Sequence, residues 1–105
     1  MRASGQFKKG ALEMCVLYLV QTEDRYGYEL RESVNEYIQI TEGALYPVLR
    51  RLVKDGYCLT YTKQSAEGPS RKYYQITEEG KTYLSDLIAE WDEFVSSVNR
   101  LRGEN

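Results

Sequence analysis

The sequence contains no histidine, and only two of its 105 residues are cysteine. Histidine is the commonest general base and the commonest metal ligand in proteins. Cys15 and Cys58 are far apart, and neither has a second cysteine at metal-ligand spacing. Catalysis would therefore depend on carboxylates or a thiolate, and no glycine-rich phosphate loop follows a predicted strand. We expect a protein that is not an enzyme and that binds neither a metal nor another cofactor.

Long apolar runs are also absent from the sequence. The first apolar run covers residues 11–20, includes Glu13 and is too short to cross a bilayer. The N-terminal residues do not resemble a signal peptide. These features predict a cytoplasmic protein without a membrane partner.

Charge is unevenly distributed along the chain, although the formal net charge is only −2. Residues 41–73 contain six basic and three acidic residues, whereas residues 78–105 contain three basic and seven acidic residues. Nucleic acid binds to a local basic face and does not require an excess of positive charge over the whole protein. The charge distribution therefore permits DNA binding without demanding it.

Two helices are predicted in the first part of the chain. Residues 8–22 are apolar on nearly every face, which predicts a central helix that is buried or shared with a second subunit. Apolar residues at helical spacing predict an amphipathic helix over about residues 26–37, with Asp24 as a candidate cap.

A third helix is predicted from Thr41, a plausible N-cap, to Asp55, and it ends at Gly56. Pro47 conflicts with this start because proline lacks an N–H and crowds the carbonyl four residues earlier. The helix therefore starts later than Thr41 or is bent. Its apolar stripe is Leu45, Val48, Leu49, Leu52 and Val53, and its opposite face is polar and includes Arg50 and Arg51.

The second half of the chain predicts a β-hairpin and a long helix. Residues 57–63 and 71–77 alternate in the manner of strands, and the turn-rich residues 64–70 join them. A long helix follows over residues 78–102, with Thr77 as its candidate cap.

The order of these elements predicts the fold class: α+β, mainly α, with a winged helix-turn-helix and a long C-terminal helix. Three helices and a two-stranded wing form a DNA-binding domain over residues 1–77. Residues 78–105 form a dimerisation helix that packs on the same domain. Six of its apolar residues have the heptad spacing of a coiled-coil seam. They are Leu84, Leu87, Trp91, Phe94, Val98 and Leu101.

In such a fold the third helix enters the major groove and the wing meets the DNA backbone or the minor groove. Arg50 and Arg51 can bind guanine edges or phosphates, and we expect one of them to recognise a base and the other to hold a phosphate. A helical-wheel projection of the third helix does not decide which of the two arginines recognises the base. The candidate DNA-binding residues are Thr41, Gly43, Ala44, Tyr46, Arg50, Arg51, Lys63, Ser70, Arg71 and Lys72. Each of them is also compatible with an ordinary solvated surface.

Three sequence blocks resemble the PadR-like family of bacterial winged-helix regulators. They are YGYEL at residues 26–30, EGALYPVLRRLVKDGY at 42–57 and RKYYQITEEGK at 71–81. The similarity spans about residues 8–90, and the short last helix is typical of the small subtype. Glu42 departs from expectation because it places an acid near a phosphate-facing helix start.

The resemblance implies a homodimer formed by the first and last helices. It implies repression that a small molecule or another signal relieves, and DNA contacts from the third helix and the wing. Trp91 then has two interpretations: it packs in the dimer interface, or it binds a flat aromatic or hydrophobic ligand there. The alternative function is a winged-helix module that binds only proteins.

Overall fold

The computed structural model describes residues 5–41 and 43–103, with side chains described from residue 10 onward. The elements follow in the order α1 (Gly5–Thr22), β1 (Arg25–Tyr26), α2 (Gly27–Asn35), α3 (Leu45–Lys54), β2 (Cys58–Lys63), β3 (Arg71–Ile76) and α4 (Glu78–Leu101). This is the winged helix-turn-helix with a long C-terminal helix that the sequence predicts.

The core forms where α1, α2 and α3 meet one face of the sheet and the first turns of α4. The stripe on α3 is buried as predicted, with the exception of Val53, which is half-buried. Apolar residues of α1 complete the interior, which agrees with the prediction of a central helix. The buried residues are Leu12, Val16, Leu17, Val20, Leu30, Val34, Leu45, Val48, Leu49, Leu52, Cys58, Tyr74 and Leu84.

The sheet has three antiparallel strands in the order β1-β3-β2, where the sequence predicts only two. The hairpin is in the predicted place: Lys63 pairs with Arg71, and residues 64–70 form its tip. The added strand β1 is only two residues long, and its Tyr26 pairs with Tyr73 of β3. A strand of this length shows no periodicity in a sequence. It ties the start of α2 to the wing.

The predicted start of the second helix, at about residue 26, agrees with the structure, but its predicted cap is wrong. α2 begins after Tyr26, whose N–H donates to the Glu29 side chain at 3.4 Å. Asp24 does not cap this helix, because its carboxylate accepts from the Tyr61 hydroxyl at 2.6 Å and from the Gln75 amide at 3.4 Å.

α3 starts later than Thr41, which is one of the two alternatives that Pro47 left open. Ala44 is its N-cap residue, so Thr41 is not, and Leu45 is its first helical residue. Pro47 consequently lies in the first turn, where its missing N–H leaves no intrahelical bond unmade. Gly43 supplies the tight turn before the helix with a φ of 88°, a conformation that glycine adopts without strain.

α4 approaches the sheet closely at its N-terminus. The Thr77 side chain accepts from the Gly80 N–H at 2.9 Å, which confirms the predicted cap. Gly80 lies directly against the backbone carbonyl of Tyr57, where a Cβ atom would overlap it. This contact fixes the direction in which α4 leaves the domain.

Within the described residues, none of the helices combines the length and the apolar character that a membrane crossing requires.

Candidate nucleic-acid interface

A basic cleft lies where the start of α2, the outer side of α3 and the start of β3 meet. Its volume is about 490 Å³. The lining residues are Tyr26, Gly27, Tyr28, Tyr46, Arg50, Ser70, Arg71, Lys72 and Tyr74. Among these described residues three are cations, four are tyrosines and none is acidic, so they favour a polyanion on electrostatic grounds.

The α3 side of the basic cleft is formed by Tyr46 and Arg50, which are one helical turn apart and exposed. The ring of Tyr46 lies against the backbone of Gly27 at the start of α2, where a Cβ atom would be 3.6 Å from the ring. Burial raises the pKa of Tyr74, and the neighbouring Tyr46 raises it further, whereas Arg50 lowers it. Tyr74 is therefore a neutral hydroxyl at neutral pH.

The wing side of the basic cleft carries cations held over aromatic rings. The Arg71 guanidinium lies 4.5 Å from the centre of the Tyr26 ring, and the Lys72 ammonium lies 6.0 Å from that of Tyr74. Such cation–π contacts restrict long side chains without neutralising their charge. Ser70 donates to Gln64 at 3.0 Å across the wing tip. The cations are thus positioned but remain available to an anion.

A row of three tyrosines lies beneath two cations of the wing, Arg71 and Lys63. Tyr26, Tyr73 and Tyr61 lie side by side across the three strands, with 5.5 Å between neighbouring ring centres. Lys63 lies 5.7 Å from the centre of the Tyr73 ring. The hydrogen bond to Asp24, followed by desolvation, raises the pKa of Tyr61 to about 12. The row keeps the wing and the start of α2 in one rigid unit.

The structure brings together about half of the predicted DNA-binding residues. The five in the basic cleft are Tyr46, Arg50, Ser70, Arg71 and Lys72. Lys63 pairs with Arg71 at the base of the wing tip. Thr41, Gly43 and Ala44 form the turn before α3, where the Ala44 N–H donates to the Thr41 carbonyl at 3.1 Å. Glu42 lies outside the described residues.

Arg51 lies elsewhere, which corrects the expectation that both arginines project from the outer face of α3. Its guanidinium is 2.8 Å from the carboxylate of Glu13 on α1. Only 34% of the Arg51 side chain is exposed. The helical wheel missed this pair because it does not show which helix packs beside α3.

Four lining residues were not among the candidates: Tyr26, Gly27, Tyr28 and Tyr74. Three of them belong to the YGYEL block, which begins with the last residue of β1 and opens α2. That block was the available signal, but its position beside the wing depends on the pairing of β1 with β3.

An apolar surface lies on the opposite side of the domain, between α1 and α4. We call it the α1–α4 face, and its residues are Gly10, Ala11, Met14, Leu87, Glu90, Trp91 and Phe94. It encloses a cleft of about 330 Å³. The side chains of Trp91 and Phe94 are 38% and 56% exposed.

The other residues of the predicted seam differ in exposure. Leu84 is 1% exposed and belongs to the core of its own domain, so its assignment to a dimer contact is corrected. Leu101 is 87% exposed at the far end of α4, and Val98 is half-buried. The available apolar surface therefore begins at Leu87.

A winged helix-turn-helix with a basic cleft between its third helix and its wing defines a class of DNA-binding regulators. Comparison with known proteins identifies the particular family. The model of the transcriptional regulator PadR-like family matches residues 16–86. The chain belongs to this family of transcriptional regulators.

Individual relatives agree with this assignment. A PadR-like transcriptional regulator from Bacillus cereus has a similar structure, with a TM-score of 0.83 and 37% identity over 95% of this chain and 99% of that one. A transcriptional regulator from Mycobacterium tuberculosis is 26% identical over 77% of this chain and 76% of its own length. An uncharacterized protein from Lysinibacillus sphaericus is 42% identical over 81% of this chain and 82% of its own length.

Proposed function

We propose that this protein is a homodimeric transcriptional repressor in the cytoplasm that binds inverted-repeat operators in double-stranded DNA. The observation that supports it most strongly is the basic cleft, where Arg50 of α3 and two cations of the wing converge. α3 enters the major groove in this proposal, and the DNA backbone passes through the basic cleft toward the wing.

Phosphate binding needs cations that can approach a charged oxygen closely. Arg50, Arg71 and Lys72 are exposed, and the hydroxyl of Tyr46 adds a donor beside them. Ser70 lies in the same cleft, and in this proposal its hydroxyl exchanges Gln64 for a phosphate oxygen when DNA binds. Lys63 extends the basic surface along the wing. Thr41, Gly43 and Ala44 lie at the start of α3, where small residues permit the close approach of a phosphate.

The α1–α4 face supports the dimer. Two large aromatic side chains, Trp91 and Phe94, are exposed on it together with Leu87 at its inner edge. Contiguous exposed apolar surface of this kind marks an interaction site. A second copy of the chain covers it in this proposal, with Val98 and Leu101 extending the contact along α4.

A small aromatic or hydrophobic ligand is proposed at the same interface. The cleft on the α1–α4 face, about 330 Å³ in each chain, is within the size range of ligand pockets. Trp91 forms part of its wall, and it is the only tryptophan in the sequence. Its fluorescence therefore reports both dimer formation and ligand binding. If neither dimer formation nor ligand binding changes the fluorescence, Trp91 is not part of an interface.

Selection from a randomised duplex library tests the proposal. The dimer predicts enrichment of an inverted repeat whose half-sites are about one helical turn, roughly 10 bp, apart. Arg50→Ala protein, run in parallel, should enrich the same repeat more weakly. Enrichment of no sequence by the unmodified protein would contradict DNA recognition and favour a module that binds only proteins.

A further inference from the structure

One partly buried carboxylate holds side chains from two other helices. Glu13 of α1 accepts from the guanidinium of Arg51 on α3 at 2.8 Å, and also from the hydroxyl of Tyr83 on α4. Its side chain is only 14% exposed. The central helix, the recognition helix and the C-terminal helix are thus joined through a single acidic group.

The Tyr83 hydroxyl is fixed in this arrangement. Its ring stacks on Tyr57 with 4.0 Å between ring centres and an angle of 7° between the planes. The hydrogen bond to Glu13, followed by desolvation, raises the pKa of Tyr83 well above its usual range. Tyr83 therefore stays protonated and donates to Glu13 at every pH near neutrality.

Glu13, Arg51 and Tyr83 form a hydrogen-bond network, and its position in the domain is more informative than its strength. Glu13 is followed by Met14, which lines the α1–α4 face, and Tyr83 is one helical turn before Leu87 on the same face. Arg51 is adjacent to Arg50, which lines the basic cleft. The network consequently lies between the surface proposed for dimerisation and the surface proposed for DNA binding.

We propose that Glu13 is a positioning residue that sets the direction of α3 relative to α1 and α4. This inference rests on the proposed function. In a dimer joined through α1 and α4, that direction determines how far apart the two recognition helices lie and how they face two half-sites. Charge-assisted hydrogen bonds are directional, whereas the apolar contacts around them tolerate small rotations. Glu13 therefore determines which half-site spacing the dimer prefers.

The test compares the binding of two DNAs. One is the inverted repeat selected by the unmodified protein, and the other contains a single half-site. Glu13→Gln keeps the size of the side chain but removes the ion pair with Arg51. Its affinity for the inverted repeat should fall about fivefold, while its affinity for the single half-site changes less than about twofold. Its preference among repeats lengthened or shortened by one base pair should also weaken.

Two further variants keep the test decisive. Tyr83→Phe removes only the hydroxyl and keeps the stack on Tyr57. It should therefore lower the ratio of the affinity for the inverted repeat to the affinity for the single half-site, even if Glu13→Gln folds poorly. Asp86→Asn removes an exposed carboxylate from α4 and should leave the ratio unchanged.

The outcomes separate three explanations. Equal losses on both DNAs in Glu13→Gln and Tyr83→Phe would overturn the inference and leave Glu13 with a purely stabilising role. A loss on the single half-site in Arg51→Met alone would also overturn it, because Arg51 would then contact DNA directly. No selected repeat and no binding by the unmodified protein would overturn the proposed function, and this inference with it.

Discussion

Arg50 and Arg51 are neighbours in the sequence but have different surroundings: Arg50 lines the basic cleft, whereas the Arg51 guanidinium lies 2.8 Å from the Glu13 carboxylate. The two side chains leave α3 about 100° apart. The buried side of α3 faces α1, and this packing turns Arg51 toward Glu13. The two arginines therefore have separate roles in our account, DNA contact for Arg50 and helix positioning for Arg51.

Arg50→Ala should weaken binding to a single half-site by about 1–3 kcal/mol, because it removes an arginine that faces the DNA. Fluorescence anisotropy with a labelled half-site measures the loss. Arg50→Lys is the matched control, since it keeps the charge but not the planar pair of donors. If Arg50→Lys binds the half-site as tightly as the unmodified protein, Arg50 contacts a phosphate. If Arg50→Lys binds as weakly as Arg50→Ala, Arg50 recognises a base. An unchanged affinity in Arg50→Ala would exclude the basic cleft as the DNA-binding surface.

Lys72→Ala should make DNA binding less dependent on salt. Each lysine at a phosphate releases counterions, so its removal should lower the slope of log K against log salt by about one, whatever the DNA sequence. Lys81→Ala removes a cation of α4 outside the basic cleft and should leave the slope unchanged. If the slope of log K against log salt is the same for Lys72→Ala and the unmodified protein, Lys72 does not contact a DNA phosphate.

Phe94→Asp should convert the dimer to a monomer. More than half of this side chain is exposed in the single chain, so the substitution leaves the core intact but buries an unpaired charge in the proposed interface. Light scattering at micromolar concentration measures the mass. Leu59→Asp is the control because Leu59 is equally exposed, at 57%, but lies on the sheet. Dimers of Phe94→Asp would show that the chains associate through another surface.

Gly80→Ala should destabilise the fold. The added Cβ would overlap the carbonyl of Tyr57, and displacing α4 from the sheet should cost about 1–3 kcal/mol. Thermal or urea unfolding measures the change. A matched alanine at Gly68, in the open wing tip, should change the free energy of unfolding by less than about 0.5 kcal/mol. Equal stability of the two variants would contradict the close contact between α4 and the sheet.

The sequence predicts the four helices, the wing and their order: α1 is apolar on nearly every face, and each of the other elements has a clear period or cap. The apolar stripe of α3 is the strongest of these signals. The sequence does not predict β1, which is two residues long and depends on Tyr73 as a partner. It also misplaces Leu84 and Arg51, since a heptad or a wheel shows which side a residue occupies but not which element covers that side. Four of the nine residues that line the basic cleft were missed for the same reason.

The proposed function depends on recognition of a specific DNA sequence by a dimer. Its sharpest test compares the affinity of the protein for the selected inverted repeat with its affinity for a scrambled duplex of equal length at physiological salt. We expect two chains per duplex and an affinity for the repeat at least about a thousandfold higher than for the scrambled DNA. Equal affinities for the two duplexes, or one chain per duplex at saturation, would contradict it.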